Sequence, residues 1–302
     1  MYCVELSVLL HRALESRVAL LQDRLSVPDW PADPEPLHQV RVASRRVRAV
    51  LDLVDPQLYP AYDRQIKKLR RLTRALGQPR EMDVHEILLE SLRPRLEQVS
   101  AGPCLEHVLE RFGVGQRRIR AEMIRELGDL SLKHLDDLLR VPVLANPFTS
   151  GNLAAGVWDC LAPWVERAFR PMPALLDQED EVALHALRID LKRLRYALEV
   201  LAPAFAEEPA DPLRLLKGLQ KALGDHHDLA TLAARVQELH QGLEERNRMA
   251  LATGTRAILA LVAEERQCAF EQFRVLAMGT SIEGFDDGLQ RLLRPEPGAR
   301  PQ

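Results

Sequence analysis

The sequence predicts an all-α protein, built as two pseudo-symmetric four-helix-type bundles from an internal repeat. Three observations carry this expectation. Apolar residues recur with helical period along the chain, and no convincing alternating strand interrupts them. Prolines and glycines cut the 302 residues into helix-length pieces. A basic string, His38-Gln-Val-Arg41-Val-Ala-Ser-Arg45-Arg46-Val-Arg48, returns as His185-Ala-Leu-Arg188-Ile-Asp-Leu-Lys192-Arg193-Leu-Arg195, displaced by 147 positions. The same displacement carries Leu76-Gly77 onto Leu223-Gly224, so the halves stay in register between these landmarks. Aromatics at 5% are scarce, which suits a Leu/Ala/Val-packed helical interior better than a β-sandwich.

The elements follow from the punctuation. In the first half the spacing predicts helices at 3–25, 36–54, 61–76, 82–99 and 104–140, the last broken near Gly128. Pro28 to Pro36, Pro56 to Pro60, Gly77 to Pro79 and Gly102-Pro103 separate them. Val141 to Gly151, rich in breakers, is the boundary, which makes 1–145 one bundle and 146–302 the other. The second half holds helices at 152–170, 180–202, 211–223, 228–247 and 249–278, with a short tail at 282–293. Pro171 to Pro173, Pro203 to Pro212 and Gly224 divide these. Arg294 to Gln302 is Pro/Arg-rich and reads as a frayed end.

The net charge is only −3, so the basic strings are local patterning in a protein that is not basic as a whole. At about 100° per residue, His38, Arg41 and Arg45 fall in one sector with Arg46 and Arg48 flanking it, while Val40, Val47 and Leu51 lie opposite. The second copy repeats the split, with His185, Arg188, Lys192 and Arg195 opposite Leu187, Leu194 and Leu198. The next helix in each half is also basic. Lys67, Arg70 and Arg74 align with Arg214, Lys217 and Lys221, and Lys68, Arg71 and Arg80 add to the first copy. Like charges at these spacings repel by a few tenths of a kcal/mol per pair. A bound anion offsets that repulsion, and arginine forks suit phosphate oxygens. A histidine beside phosphate has its pKa raised and adds a switchable donor.

The pattern Leu-His-x-x-Arg, running on to Arg-x-Arg, then a basic helix ending Leu-Gly and an Asp, strongly resembles the CHAD (conserved histidine α-helical domain) family. Its elements are Leu37 to Arg48 with Leu76-Gly77 and Asp83, then Leu184 to Arg195 with Leu223-Gly224 and Asp228. The resemblance spans about 3–293. It implies a pair of four-helix bundles whose basic surfaces bind inorganic polyphosphate, with possible association with polyphosphate granules. It also implies that His38, Arg41, Arg45, Arg46 and Arg48 belong to the binding surface, with His185, Arg188, Lys192, Arg193 and Arg195 as counterparts. Lys67, Arg70, Arg74 and Arg80 match its neighbouring basic helix, and Arg214, Lys217 and Lys221 match that helix in the other half. After Leu-Gly the halves differ by two residues, and Gly218 stands where Arg71 does, so the first half is expected to bind more strongly. The alternating Glu-x-Glu-x-Lys of the CYTH domain that accompanies some members is absent, so a stand-alone member is the expectation.

Catalytic chemistry finds little support. There is no GxxxxGK[ST], G-x-S-x-G or HExxH. His226-His227-Asp228 invites a metal reading, but a catalytic ion needs further ligands and an open position. Asp228 fits better as a helix cap or as a partner to nearby cations. The expectation is a non-enzymatic binder with no cofactor and no metal. A nucleic-acid-binding helical protein is the runner-up, disfavoured because single-strand readers need aromatic platforms and only Tyr196 adjoins the strings. A metal-dependent phosphohydrolase is the third reading. Cys3, Cys104, Cys160 and Cys268 stand apart like reduced, mostly buried thiols. Glu5 interrupts the N-terminal apolar stretch, so no signal peptide is read, and no apolar run reaches membrane-span length. These features point to a cytoplasmic protein; protein partners are not legible.

Overall fold

Asp33 and Asp180 open the two helices that carry the basic strings. The Asp33 carboxylate accepts from the Glu35 amide at 3.0 Å, and the Asp180 carboxylate accepts from the Ala183 amide at 3.0 Å. Such caps satisfy first-turn amides that have no partner within the helix, and each contributes about 1 kcal/mol. Pro34 follows Asp33 at a position where its missing N–H costs nothing.

The structure, a computed structural model, describes residues 2–27, 30–54, 59–128, 130, 135–140, 153–172 and 179–293. Among them eleven α-helices follow in order: α1 (Tyr2–Leu25), α2 (Pro34–Leu51), α3 (Tyr59–Ala75), α4 (Gly77–Gln98), α5 (Gly102–Gly128), α6 (Asp137–Arg140), α7 (Leu153–Phe169), α8 (Glu181–Leu201), α9 (Ala210–Glu245), α10 (Met249–Met278) and α11 (Ile282–Leu293). No strand occurs among the described residues, so the all-α expectation holds.

The helices form two four-helix bundles, but not one bundle per half of the chain. Hairpin α1–α2 packs against hairpin α7–α8, and hairpin α4–α5 packs against hairpin α9–α10. Each bundle thus takes one hairpin from either half. An amphipathic hairpin only has to bury its apolar face, and here each face is buried against the hairpin at the matching place in the other half. The interior divides the same way. Leu14, Val47, Leu161 and Leu194 share the first core, whereas Leu89, Leu105, Leu232 and Ile258 share the second. Helix α9 belongs to both, with Leu216 in the first core and Leu232 in the second. At 1.5 Å per residue its 36 residues span about 54 Å. Helix α11 closes the first bundle, with the Phe285 ring 4.4 Å from that of Phe169. The boundary expected at Val141 to Gly151 lies outside the described residues, as does the Arg294 to Gln302 end.

Most helix ends match expectation, and α10 and α11 match to the residue. Two differences have a physical cause. Helices expected at 211–223 and 228–247 are one continuous helix. Gly224 costs about 1 kcal/mol in helix propensity but does not stop a helix whose neighbours on both sides are buried in register. In the first half the chain does break, between Ala75 and Gly77, because Pro79 would remove a hydrogen bond and clash inside a continuous helix. Placed in the first turn of α4, Pro79 is tolerated, so α4 starts five residues before the expected 82. The segment expected at 104–140 resolves into α5, ending at Gly128, and the separate short α6. Cys104 is buried, Cys160 half-buried and Cys268 exposed.

Hairpins α4–α5 and α9–α10 pack tightly where Gly254 meets Cys104. A Cβ at Gly254 would overlap the Cys104 Cβ and stand 2.8 Å from its Sγ. Gly254→Ala is therefore expected to destabilise the protein by about 1–3 kcal/mol through overpacking, read from the midpoint of urea unfolding. An unchanged midpoint would show that this crossing is loose.

Candidate anion-binding site

The basic strings lie on α2 and α8, and these helices pack directly on one another in the first bundle. Leu37, Val40 and Val47 on α2, and Leu187, Leu191 and Leu194 on α8, are sunk in the core. That anchorage turns the two cationic faces toward a common junction. Arg41, Arg45, Arg188 and Lys192 meet there, each repelled by others of the set. Burial, and then the neighbouring cations Arg45, Arg188 and Arg80, push Arg41 down to about 10. Burial, and then Arg188, Arg45 and Arg41, push Lys192 down to about 7. Among the described residues only Arg188 of the four has a carboxylate within 4.0 Å, its Nη2 lying 3.8 Å from Asp228 Oδ1. The junction therefore holds more positive charge than the chain itself neutralises.

Helices α3, α4 and α9 support these side chains from below. Arg41 Nη1 donates to the Thr73 carbonyl at 2.9 Å. The guanidinium of Arg41 passes over Gly77, where a Cβ would sit 3.6 Å from Nη1, and Arg188 passes over Gly224, where a Cβ would sit 3.9 Å from Nε. The Leu-Gly landmark of each half thus lies under the first arginine of its string.

Three histidines border the junction. His38 is held below its ordinary range by burial first and then by Arg80, and its Nδ1 is buried with no hydrogen-bond partner among the described residues. The His185 and His227 rings lie 4.9 Å apart. His185 is lowered by burial and then Arg188, while burial followed by Arg188 and His185 pushes His227 to about 4. Burial and the neighbouring cations thus favour the neutral form of all three in the unliganded protein. An anion in the junction would reverse the Coulomb part of these shifts.

At the other end of the junction Arg48 and Arg193 approach one another, with Arg70 from α3 beside them. Arg193 lies 3.7 Å from Asp190 Oδ1 and 5.4 Å from the Trp164 ring centre. Arg45, Arg48, Lys192 and Arg193 are among the residues that line a cavity of about 310 Å³ here.

Most of the remaining expected residues have other partners or are simply exposed. Arg195 turns to internal partners, donating through Nε to Gln220 Oε1 at 2.8 Å and through Nη1 to Glu199 Oε1 at 2.9 Å. Arg46 faces Arg17 of α1 rather than the junction, and its Nε is buried without a hydrogen-bond partner among the described residues. Lys67 pairs with Asp63 at 2.6 Å, Arg71 with Glu126 at 3.5 Å, Arg214 with Asp211 at 2.9 Å, and Lys221 with Asp225. Lys217 and Arg74 are exposed, and Arg80 stands beside His38 and Arg41.

His226, His227 and Asp228 do not converge. His226 Nε2 accepts from Arg266 Nε at 3.0 Å, His227 faces His185, and Asp228 faces Arg188. Asp228 caps nothing, because α9 runs on through it. Asp83, at the matching place in the first half, is buried against α5, where it accepts from Gln116 Nε2 and Arg120 Nη2, both at 2.7 Å. No group of three or more His, Cys, Asp or Glu among the described residues is placed to hold a metal ion. No helix among them is long and apolar enough to cross a membrane. Thr73 and Trp164 carry no signal in the motifs, and His227 enters them only as part of a metal reading. Packing of α3 and α9 brings Thr73 and His227 to the junction, and α7 brings Trp164 to the cavity beside it.

A helical protein of two bundles, with duplicated basic helices converging at one junction, is defined by these features. The chain belongs to the CHAD domain family, whose model matches residues 12–237. Its fold is similar to the crystal structure of the CHAD domain from the plant Ricinus communis, with a TM-score of 0.65 and 24% identity over 91% of this chain and 92% of that one. It is likewise similar to PptA from Streptomyces chartreusis, with a TM-score of 0.67 and 19% identity over 91% of this chain and 99% of that one. At these identities the two structures establish the shared fold. No curated protein sequence matches the chain.

The shift at Lys192 has a signed consequence for stability. Its folded-state pKa lies below the ordinary 10.5, so between about 7 and 10.5 the unfolded chain holds the extra proton. The cost of burying this ammonium is therefore full below pH 7 and declines as pH rises through that window. Lys192→Met is expected to raise the Tm at pH 6.5, with the gain over wild type shrinking by pH 9.5. A variant less stable than wild type at pH 6.5 contradicts the electrostatic account.

Proposed function

We propose that the protein binds inorganic polyphosphate without turning it over, through the junction of α2 and α8. The observation that carries this is the meeting of Arg41, Arg45, Arg188 and Lys192, half-buried, with Asp228 as the nearest opposing charge. A chain of phosphates supplies closely spaced negative charge along a line, matching cations that run from His185 and Arg188, past Lys192, Arg41 and Arg45, to Arg48, Arg193 and Arg70. His38 and Arg80 flank the line on the first-half side. Membership of the CHAD family supports the reading, and a place at polyphosphate granules follows from it. The exposed cations of α3 and α9, Lys67, Arg71, Arg74, Arg214, Lys217 and Lys221, extend the field around this line and steer the polymer toward it.

Arg41 and Arg45 face the junction with no carboxylate partner among the described residues, whereas Arg193 and Arg195 already share theirs with Asp190 and Glu199. The first-half string is thus the more available, as its charge density implies. Nucleic acid fits less well. Tracking successive bases takes successive stacking platforms, and Tyr196 is buried with its ring under Arg195.

Titration with long-chain polyphosphate by calorimetry is expected to give binding that weakens steeply with salt, by analogy with counterion release. Arg41→Gln and Arg45→Gln should each lower affinity about tenfold to a hundredfold, the worth of a charge-assisted contact, and Arg195→Gln should lower it less. Incubation with Mg²⁺ or Mn²⁺ should release no phosphate. Equal affinity for single-stranded DNA of matched charge overturns the ligand assignment, and metal-dependent release lost in Asp228→Ala overturns the non-enzymatic one.

A further inference from the structure

The cavity at the Arg48 end of the junction is lined by apolar and aromatic side chains as well as cations, and inorganic polyphosphate has no use for the former. One stripe of α8, Ile189, Lys192, Arg193 and Tyr196, and one of α2 and its C-cap, Arg45, Arg48, Ala49 and Asp52, line it together with Trp164 of α7 and Leu53 just beyond α2, so apolar and cationic side chains alternate along it. Leu53 and Tyr196 form a buried apolar floor, while Ile189 is 37% exposed and Trp164 half-exposed at the edge. Asp52 also lines the cavity, among the cations Arg48, Arg193 and Arg70. A carboxylate there opposes a ligand made only of phosphates, but it is a ready acceptor for N–H donors.

A volume of about 310 Å³ lies at the lower end of the range of small-molecule sites. Such sites combine an apolar wall with a few convergent polar groups. This one continues without interruption into the cationic junction, because Arg45 and Lys192 belong to both. The ligand that matches both ends has a flat, N–H-bearing ring joined to a short run of phosphates.

We infer that this cavity is a nucleoside-polyphosphate subsite: the base lies along Trp164 and Ile189 with an N–H edge toward Asp52, and the phosphates extend past Lys192 toward Arg45 and Arg41. The inference rests on the proposed phosphate-binding role of the junction and adds a class of ligand to it. Arg193, which now lies against the Trp164 ring, is the side chain that yields or stacks beside the base. The indole is then both a binding surface and a reporter.

The test compares tripolyphosphate with ATP and GTP, without divalent metal and at one ionic strength, by calorimetry and by Trp164 fluorescence. At least one nucleotide is expected to bind about fivefold or more tightly than tripolyphosphate, as a single base–aromatic stack contributes, and to quench the indole. Trp164→Leu and Ile189→Ser should each remove that preference, read as the ratio of nucleotide to tripolyphosphate affinity, and Ile189→Ser, at an exposed position, should leave tripolyphosphate affinity and Tm near wild type. Tryptophan emission read in Trp164→Leu assigns the quenching, since Trp30 and Trp158 remain there. Tripolyphosphate binding as tight as that of both nucleotides, or a preference that survives both substitutions, overturns the subsite. Failure of the wild-type protein to bind either tripolyphosphate or long polyphosphate instead overturns the underlying reading of the junction.

Discussion

The apolar packing of α2 against α8 forces like charges together, and the site depends on that constraint. Leu37, Val40 and Val47 on one helix and Leu187, Leu191 and Leu194 on the other are almost fully buried. Their combined burial fixes where the opposite faces of both helices must go. Each fully buried leucine or valine contributes about 1.5–3 kcal/mol, enough to hold Arg41, Arg45, Arg188 and Lys192 at distances they would otherwise avoid. Burial first, and then the repulsion of Arg188, Arg45 and Arg41, push Lys192 down to about 7 in the unliganded protein. Under the proposed function an anion drawn into the junction would relieve that repulsion, so the packing that costs stability would supply affinity.

The cross-half arrangement of hairpins puts this constraint at the centre of the molecule. Were each half a separate bundle, the two strings would lie on separate surfaces. Because α1–α2 pairs with α7–α8, the strings share one bundle. Helix α9 reaches from one core to the other and brings His227 and Asp228 to the same place. Both Leu-Gly landmarks then acquire a physical role, since Gly77 and Gly224 leave room for the arginines that cross them.

The helices were largely legible because apolar period and Pro/Gly punctuation are local signals. Pro79 stopping α3, and Asp33 and Asp180 capping α2 and α8, act within a turn of where they stand. Gly224 misled because a glycine permits a break without requiring one. The partnering of hairpins was not legible, since an amphipathic face specifies that it must be covered but not by what. In the site, His38, Arg41, Arg45, Arg188 and Lys192 could be named from spacing alone. The inward turn of Arg195 could not, because Gln220 lies 25 residues away, and Trp164 belongs to a helix with no basic motif.

The central claim is that a phosphate chain occupies the junction between α2 and α8 rather than the exposed basic faces. A crystal structure of the protein with a short polyphosphate tests this most directly. The account predicts phosphate density bounded by Arg41, Arg45, Arg188 and Lys192, with His38 or His185 donating to an oxygen. Density confined to the outer faces of α3 and α9, near Arg74 or Lys217, with the junction unchanged, would contradict it.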